Sequence, residues 1–157
     1  MNPYAAFLGS QPPLKVIANT PAQLKGVVGQ LSQEELNRAP AGKWNVRQVL
    51  AHLADTEIVF AFRLRQAIAD TSHVIQPFDQ DRWATNYAQV DAEAALEVFT
   101  AVRQWNVAFI RSLPVEAISK ELSHPERGPM TFGVVVETMG GHDLNHLAQI
   151  EQLLAKS

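Results

Sequence analysis

Four stretches of this 157-residue chain place apolar residues at the spacing of an amphipathic helix, and no stretch shows a convincing strand alternation. The predicted helices cover about residues 21–31, 46–69, 92–113 and 132–156. A helix of this kind is stable in water mainly through burial of its apolar face, so each stretch needs a partner surface. Four such helices in one chain predict a helical bundle.

Capping residues mark where the predicted helices begin. Asn45 is a typical N-cap, and Gln48 stands three residues later as in a capping box, so the second helix has the best-marked start. Thr20 before Pro21 predicts the start of the first helix. Its upstream limit stays open, because the run PPLKVIA could form an earlier turn. The N-caps of the last two helices are Asp91 and Thr131.

One short and two longer connections separate the four helices, and the longer ones cover residues 71–90 and 115–130. The 71–90 connection is too long for an incidental loop, so we interpret it as a crossover or as a segment that covers a site. The sequence therefore predicts an all-α single domain over residues 1–157, a four-helix bundle with long crossover connections. Metal sites in such bundles form from side chains on facing helices.

Composition narrows the functional classes. A net charge of −3 with scattered lysines and arginines argues against a nucleic-acid or membrane surface as partner. The absence of cysteine excludes disulfides, thiolate metal ligands and a cysteine nucleophile. No segment approaches the roughly 20 apolar residues that span a bilayer, and the N-terminus lacks the basic region of a signal peptide. These features predict a soluble, cytoplasmic protein.

Two histidines four residues apart, His142 and His146, lie on one face of the last predicted helix. Residues at this spacing have Cβ atoms about 5–6 Å apart, so both imidazoles can reach one ion. His52 on the second helix is a third candidate ligand, and three protein ligands with an open position are typical of catalytic zinc sites. The spacing alone is weak evidence, since histidines that bond only to neighbouring side chains give the same pattern.

The helix face around this pair is polar where a core face would be apolar, and buried polar groups need partners. Its other polar residues are Thr138, Asn145 and Gln149. Gly140 and Gly141 directly precede His142, and each glycine costs about 1 kcal/mol relative to alanine inside a helix. Close backbone approach, a local kink or space above a metal would each explain the two glycines.

Several residues are weaker candidates for contact with a substrate. Arg63 and Arg103 could bind an anionic group. The alternatives are a solvated helix face for Arg63 and a side chain that reaches the surface for Arg103. Trp83, which follows Asp79 and Asp81 in the 71–90 connection, could belong to a lid over the site or anchor the connection to the bundle.

Other polar residues near the predicted site have simpler interpretations. Asp55 and Glu57 follow His52 on the same helix and could hydrogen-bond to its ring, although a solvated helix face explains them equally well. His73 and His124 lie in the two long connections. His124 could approach the site, although we interpret it as a residue of a surface loop.

Other known site patterns fit less well. HDLNH resembles the HExxH of zinc proteases with Asp143 in place of glutamate, but their third ligand lies downstream, and only eleven residues follow His146 here. A di-iron bundle needs two Glu-x-x-His pairs and two further glutamates, and Asp143-x-x-His146 is only a partial match. No nucleophile elbow supports a serine triad.

Three segments together resemble the DinB-like superfamily of four-helix proteins, which includes a branch related to bacillithiol transferases. They are GKWNVRQVLAHLADTEIVFAFRLR, PFDQDRW and GHDLNHLAQIEQLL. The resemblance implies an up-down-down-up bundle, often a homodimer, that binds one divalent ion such as zinc or nickel. It assigns the three ligands to His52, His142 and His146. Asn45 is a mild departure, since serine or threonine is the commoner cap.

The resemblance implies a metal-dependent enzyme that acts on a small molecule, because the characterised relatives mostly act on thiols. Transfer from a low-molecular-weight thiol is the first hypothesis, and the ion would lower the pKa of that thiol. Since the chain has no cysteine, the thiol would have to come from a bound cofactor. Two alternatives stay open. One is a metal-dependent hydrolase, and the other is a non-catalytic, stress-related metal-binding or dimeric interaction protein.

Overall fold

The structure, a computed structural model, describes residues 2–155. Seven α-helices lie within this range, in chain order α1 (Ala5–Leu8), α2 (Pro13–Val28), α3 (Gln33–Asn37), α4 (Val46–Ala69), α5 (Gln80–Trp83), α6 (Ala92–Ser112) and α7 (Phe132–Leu154). Two 3₁₀ helices cover Ala84–Gln89 and Val115–Ser119, and the strands β1 (Glu121–His124) and β2 (Gly128–Thr131) form a hairpin. No helix of the described chain is long and apolar enough to cross a membrane.

Two consecutive long helices, α4 and α6, run parallel. Near the start of α4, Arg47 donates a hydrogen bond to the carbonyl of Val90, just before α6 begins. Farther along α4, Arg65 donates to the Asn106 side chain, which lies in the second half of α6. The 71–90 connection therefore carries the chain back to the end of the bundle where α4 began, and the predicted crossover is confirmed.

The first and last long helices, α2 and α7, also run parallel to each other. A Cβ atom built on Gly140 would lie 3.5 Å from the Cα of Pro13, where α2 begins. One turn of α7 later, the carboxylate of Asp143 accepts a hydrogen bond from Thr20, which lies two turns into α2. Later residues of α7 therefore contact later residues of α2, as expected for parallel helices.

The α4 helix runs opposite to α7. His52 lies beside His146, with ring centroids 4.8 Å apart, and Phe60 farther along α4 lies beside the earlier His142, at 6.0 Å. With α2 parallel to α7 and α4 parallel to α6, the topology is up-down-down-up. The predicted four-helix bundle is confirmed.

The capping signals for three of the four long helices are confirmed. Asn45 and Gln48 form the capping box before α4, in which each side chain accepts from the other residue's backbone N–H. Asp91 caps α6, and Thr131 caps α7. The last helix ends at Leu154, whereas the predicted end near residue 156 lies outside the described residues.

The predicted start of the first helix is wrong, because α2 begins at Pro13 and Thr20 lies inside it. Pro21 is also inside the helix, where it lacks the N–H that would bond to the carbonyl of Ile17 four residues earlier. Arg103 of α6 supplies the missing donor, since its Nη1 lies 3.0 Å from that carbonyl. A contact from another helix therefore permits a proline that sequence reasoning places at a helix start.

The hairpin of β1 and β2 was not predicted, since the sequence shows no convincing strand alternation. Each strand has four residues, which is too short for a clear period of two. The strands pair from Glu121 opposite Thr131 to His124 opposite Gly128, and Leu122 and Met130 are buried in the core. The hairpin therefore depends on packing against the bundle rather than on a local pattern.

A polar layer divides the apolar core into two halves. Leu53 on α4 and Phe99 on α6 belong to the half that contains the start of α4, and Phe60 and Val107 belong to the other half. The layer includes His52, Thr56 and Glu57 of α4, all of them buried. Buried polar groups of this kind must be hydrogen-bonded to be tolerated.

Arg103 is the centre of this layer, and its side chain is 1% exposed. Its Nη2 donates to Glu57 at 2.7 Å and to Asp143 Oδ1 at 2.9 Å, and its Nη1 donates to Asp143 Oδ2. Asn106 donates to Glu57 at 2.7 Å, and Thr20 donates to Asp143 at 2.7 Å. The network joins all four long helices, and because Arg103 is buried, the prediction that it reaches the surface is wrong.

Gly140 and Gly141 of α7 allow the N-terminal segment to lie against that helix. A Cβ atom on Gly141 would lie 2.7 Å from the Cβ of Tyr4 and closer still to the Tyr4 carbonyl oxygen. A Cβ atom on Gly140 would lie 3.1 Å from a methyl carbon of Leu8 in α1. Of the three predicted explanations, close backbone approach is confirmed.

Replacement of Arg103 by alanine should lower the free energy of unfolding by about 3–5 kcal/mol, because Glu57 and Asp143 would stay buried without a counter-charge. Arg111→Ala on the exposed side of the same helix is the matched control, with an expected change within about 0.5 kcal/mol. Urea unfolding followed by circular dichroism measures both. An Arg103→Ala protein as stable as the Arg111→Ala protein would contradict the structural role of the network.

Gly141→Ala should destabilise the fold by about 1–3 kcal/mol, since the new methyl group overlaps the backbone of Tyr4. Gly26→Ala in α2 is the matched control, because nothing lies within 4 Å of a Cβ atom there. That variant should gain up to about 1 kcal/mol from helix propensity. Thermal and urea unfolding of both proteins test the pair. Equal stabilisation by the two substitutions would show that the N-terminal segment does not pack on α7.

Candidate metal centre

Three buried histidines from two helices meet at one point in the polar layer. His52 of α4 is 1% exposed, and His142 and His146 of α7 are 4% and 7% exposed. Their ring centroids are 4.5–5.1 Å apart, and one ring nitrogen from each lies within 4.8 Å of the others. The structure therefore brings together the three residues that the sequence singled out.

Helix geometry and one amide orient the rings of this cluster. His142 and His146 share a face of α7 because they are four residues apart, and the antiparallel α4 places His52 opposite them. Gln149 Oε1 lies 2.8 Å from His146 Nδ1, so Nδ1 carries the proton and Nε2 is left as a bare ligand atom. The Nε2 atoms of His52 and His142 face each other at 2.9 Å.

Burial keeps the three imidazoles neutral. It lowers the pKa of His52 to about 3, with a further contribution from the nearby His146. Burial also holds the pKa of His142 well below its usual value, helped by the two other histidines and Arg103. For His146, burial lowers the pKa while Gln149 and Asp143 oppose the shift. Neutral imidazole is the form that binds a metal.

The donor set fits a borderline divalent ion such as zinc or nickel rather than calcium or magnesium, because it offers three imidazole nitrogens and no oxygen. Asp143 lies between His142 and His146 in the sequence but does not join them. Both of its oxygens accept hydrogen bonds from Arg103. Within the described residues, the group that could hold an ion is the three histidines alone.

A cavity of about 190 Å³ lies beside His52 and His142. The first turn of the chain, α4, α7, the hairpin and the connection between α4 and α6 all contribute to its wall. Its other lining residues are Tyr4, Thr56, Phe60, Arg63, Pro77, Phe78, Gln80, His124, Glu126, Arg127 and Thr138. A larger cavity of about 550 Å³, between α2, α3 and α6, contains none of the three histidines.

The predicted substrate-contact residues have different positions. Arg63 lines the cavity, and Arg103 does not. Trp83 also lies outside the lining; its ring packs on Phe78 at 4.8 Å and is 43% exposed. Phe78, on which Trp83 packs, belongs to the same connection and is itself part of the lining. Asp79 caps α5.

The interpretation of His124 as a surface-loop residue is wrong. It ends strand β1, is 5% exposed and lines the cavity together with Glu126 and Arg127. Its Nδ1 accepts a hydrogen bond from the backbone N–H of Glu126 at 3.1 Å, so Nε2 carries the proton when the ring is neutral. The hairpin that brings these residues to the site left no clear signal in the sequence. His73 is buried outside the cavity lining.

Aromatic residues pack against the histidine rings. Trp44 lies 5.2 Å from His52, and Tyr87 packs on Trp44 at 5.8 Å. The hydroxyl of Tyr87 donates to Asp55 at 2.9 Å, so Asp55 holds this aromatic pair in place. The interpretation of Asp55 as a direct partner of His52 is therefore wrong. Glu57, the other carboxylate considered for that role, belongs to the Arg103 network.

Sequence comparison relates the chain to proteins named for metal-dependent hydrolysis. A protein of Oceanobacillus iheyensis named "Putative metal-dependent hydrolase" is 32% identical over 139 residues, 87% of this chain and 81% of the relative. A second protein of that organism is 27% identical over 146 residues, 92% of this chain and 84% of its own. A Bacillus cereus relative is 25% identical over 142 residues, 89% and 82% of the two chains. Both carry the same kind of name.

Structure comparison finds the same bundle in YfiT from Bacillus subtilis, described as a probable metal-dependent hydrolase with an unusual four-helix bundle topology. The TM-score is 0.85 at 24% identity, and the match covers 92% of this chain and 85% of the other. This likeness establishes the shared fold. The sequence model of the DinB superfamily matches residues 17–150, which is most of the chain. The resemblance seen in the sequence is thereby confirmed, and the chain belongs to the DinB superfamily.

Proposed function

We propose that the protein is a divalent-metal-dependent enzyme that acts on a small molecule, with His52, His142 and His146 as the metal ligands. The observation that carries this proposal is the meeting of three buried, neutral imidazoles, two of which line a cavity. Three protein ligands leave a position for water or substrate, as in catalytic zinc sites. A non-catalytic, structural site would instead be closed by a fourth protein ligand.

An ion in this site would lower the pKa of a thiol or of a water molecule that occupies the remaining position. The residues of the chain would hold the ion and orient the three imidazoles. Gln149 fixes the tautomer of His146, and the aromatic rings of Trp44 and Tyr4 pack against His52 and His142. These rings exclude water from the imidazoles, and electrostatic interactions are stronger where water is excluded.

Transfer from a low-molecular-weight thiol is the first candidate reaction. The only carboxylate in the cavity lining is Glu126, whereas Asp143 and Glu57 are bound to Arg103. The cavity therefore offers few groups that could act as a general base toward water. A thiol needs no such base once its pKa is lowered, because the thiolate is already a strong nucleophile at neutral pH.

Hydrolysis is the second candidate, and the names of the relatives favour it. Thiol transfer and hydrolysis are separated by activity assays on the same metal-loaded protein. One assay combines simple thiols with an electrophilic acceptor, and the other offers a panel of esters and amides, each with and without a chelator. Chelator-sensitive turnover in only one assay decides between the two reactions. Absence of turnover in both would contradict the enzymatic proposal.

His142→Ala should lose metal binding while the bundle stays folded, because most of its stability comes from apolar helix faces. His73→Ala is the matched control, since His73 is also buried but lies outside the cluster. Elemental analysis of untagged protein after zinc loading and dialysis gives the metal content per chain. We expect about one ion in wild type and in His73→Ala, and almost none in His142→Ala. Equal metal content in all three would contradict the assignment of the ligands.

The metal-free protein should lose stability in mild acid. The pKa of each site histidine is lowered in the folded chain, to about 3 for His52, whereas an unfolded histidine titrates near about 6.5. Below about pH 6.5 the unfolded state therefore binds more protons, and the free energy of unfolding falls with pH. The slope approaches about 1.4 kcal/mol per pH unit for each histidine that stays neutral when folded.

Urea unfolding between about pH 6.5 and 5 measures this slope, and His52→Gln isolates the contribution of one histidine. In the variant, the free energy of unfolding should fall less steeply with decreasing pH, by up to about 1.4 kcal/mol per pH unit. The other titrating groups are common to both proteins and do not contribute to this difference. Identical slopes in the variant and wild type would contradict the neutral, buried state of His52.

A further inference from the structure

We propose that the cavity beside the histidines recognises the oxyanion of its substrate, a carboxylate or a phosphate, through Arg63 and Arg127 with His124 as an additional donor. The inference rests on the proposed function in one respect, since it takes this cavity to be the place where the reacting molecule binds. It names the chemical class of that molecule: a small anion with a charged group at one end and its reacting atom at the other.

Arg63 is the first part of this subsite. Its Nε is buried and has no hydrogen-bond partner in the described chain, and Nη2 makes one long hydrogen bond, 3.3 Å, to the carbonyl of Gln76. Its guanidinium also lies 5.8 Å from the ring centroid of Phe78. A buried donor without an acceptor costs free energy, so this arrangement is expected where a ligand completes the hydrogen bonding.

Arg127 and His124 reach the same cavity from the hairpin. Burial lowers the pKa of Arg63 to about 10, and the like charge of Arg127 contributes to this shift because the two guanidinium groups repel each other. Neither forms an ion pair within residues 2–155. His124 presents Nε2 as a donor, because its Nδ1 already accepts from the backbone of Glu126. An oxyanion would remove the repulsion and accept from all three groups.

Glu126 is the one acidic residue in the lining, and it is exposed. It makes no ion pair with Arg63 or Arg127 in the described structure, so it leaves both guanidinium groups available. With one carboxylate against two guanidinium groups, the wall keeps an excess positive charge even before a divalent ion is added. Positive charge in a concave, partly dry site attracts anions more strongly than the same charge on an open surface.

Size limits the molecule that can be enclosed. The cavity of about 190 Å³ is smaller than the roughly 300–1,000 Å³ of sites for drug-sized ligands. His52 and His142 belong to the same wall as the arginines. A short molecule with its oxyanion at Arg63 therefore places its other end at the histidines, which suits a small carboxylate or phosphate better than a polymer or an uncharged ligand.

The test uses succinate and inorganic phosphate as probes and uncharged succinamide as the control ligand. Metal-free protein is titrated with each probe by calorimetry, while the Arg Nε–H signals are followed by ¹H–¹⁵N NMR. Wild type should bind at least one anion saturably, with a shift of the Arg63 signal, and should not bind succinamide. Arg63→Gln and Arg127→Gln should each weaken binding by about tenfold or more. Arg111→Gln, which removes the same charge at a distant exposed site, should not.

Each result has a defined meaning. Preference for succinate or for phosphate identifies the source of the oxyanion. Anion affinity that is absent in wild type, or unchanged in both Arg63→Gln and Arg127→Gln, would overturn the proposal. Arg127 lies on an exposed turn, so its variant tests the subsite even if Arg63→Gln fails to fold. Because the titration uses metal-free protein, a failure of metal binding would refute the proposed function and leave the oxyanion subsite standing.

Discussion

The guanidinium of Arg103 lies where the four long helices meet, and the buried carboxylates of the polar layer depend on it for their counter-charge. It bonds to Glu57 of α4, to Asp143 of α7 and to a backbone carbonyl of α2, while belonging to α6 itself. A buried ion pair adds little net stability compared with apolar side chains of the same volume, because each charge loses its hydration. Hydrogen bonds to a planar guanidinium are directional, however, and they favour one register between the helices. Since Asp143 lies between the two histidines of α7, that register also decides how they face α4.

Two departures from helix propensity serve this arrangement. Pro21 leaves a carbonyl of α2 without its helical partner, and Arg103 uses that carbonyl as an acceptor. Gly141 weakens α7 locally, but it lets Tyr4 approach the helix and pack its ring against His142 at 5.3 Å. In both cases a residue that is unfavourable in an isolated helix is explained by a contact from a distant part of the chain.

The same distinction separates what the sequence predicts from what it does not. The start of α4 follows from Asn45 and its neighbours, and the spacing of His142 and His146 already places both on one face, because these features depend on residues within one turn. The role of Arg103 could not be predicted in this way. The local sequence around a charged helical residue is the same whether that residue is solvated or buried between two carboxylates. The two carboxylates that bind Arg103 belong to helices far away in the sequence. The preference for a surface-loop position of His124 has a related cause, since a short hairpin held by packing has no periodic pattern of its own.

In the polar layer, the candidate metal ligands and the charged groups are different residues. Burial lowers the pKa values of the three histidines, which makes them suitable ligands for a cation, and the same burial would make an unpaired carboxylate costly. Asp143 is the acidic residue closest to the histidines in the sequence, but helical geometry turns it about 100° away from His142. Both of its oxygens are then occupied by Arg103. A carboxylate that was free to rotate toward the cluster would offer a fourth ligand and close the site. By binding Asp143, Arg103 keeps the candidate donor set to three imidazoles, and no protein carboxylate of the cluster fills the side that faces the cavity.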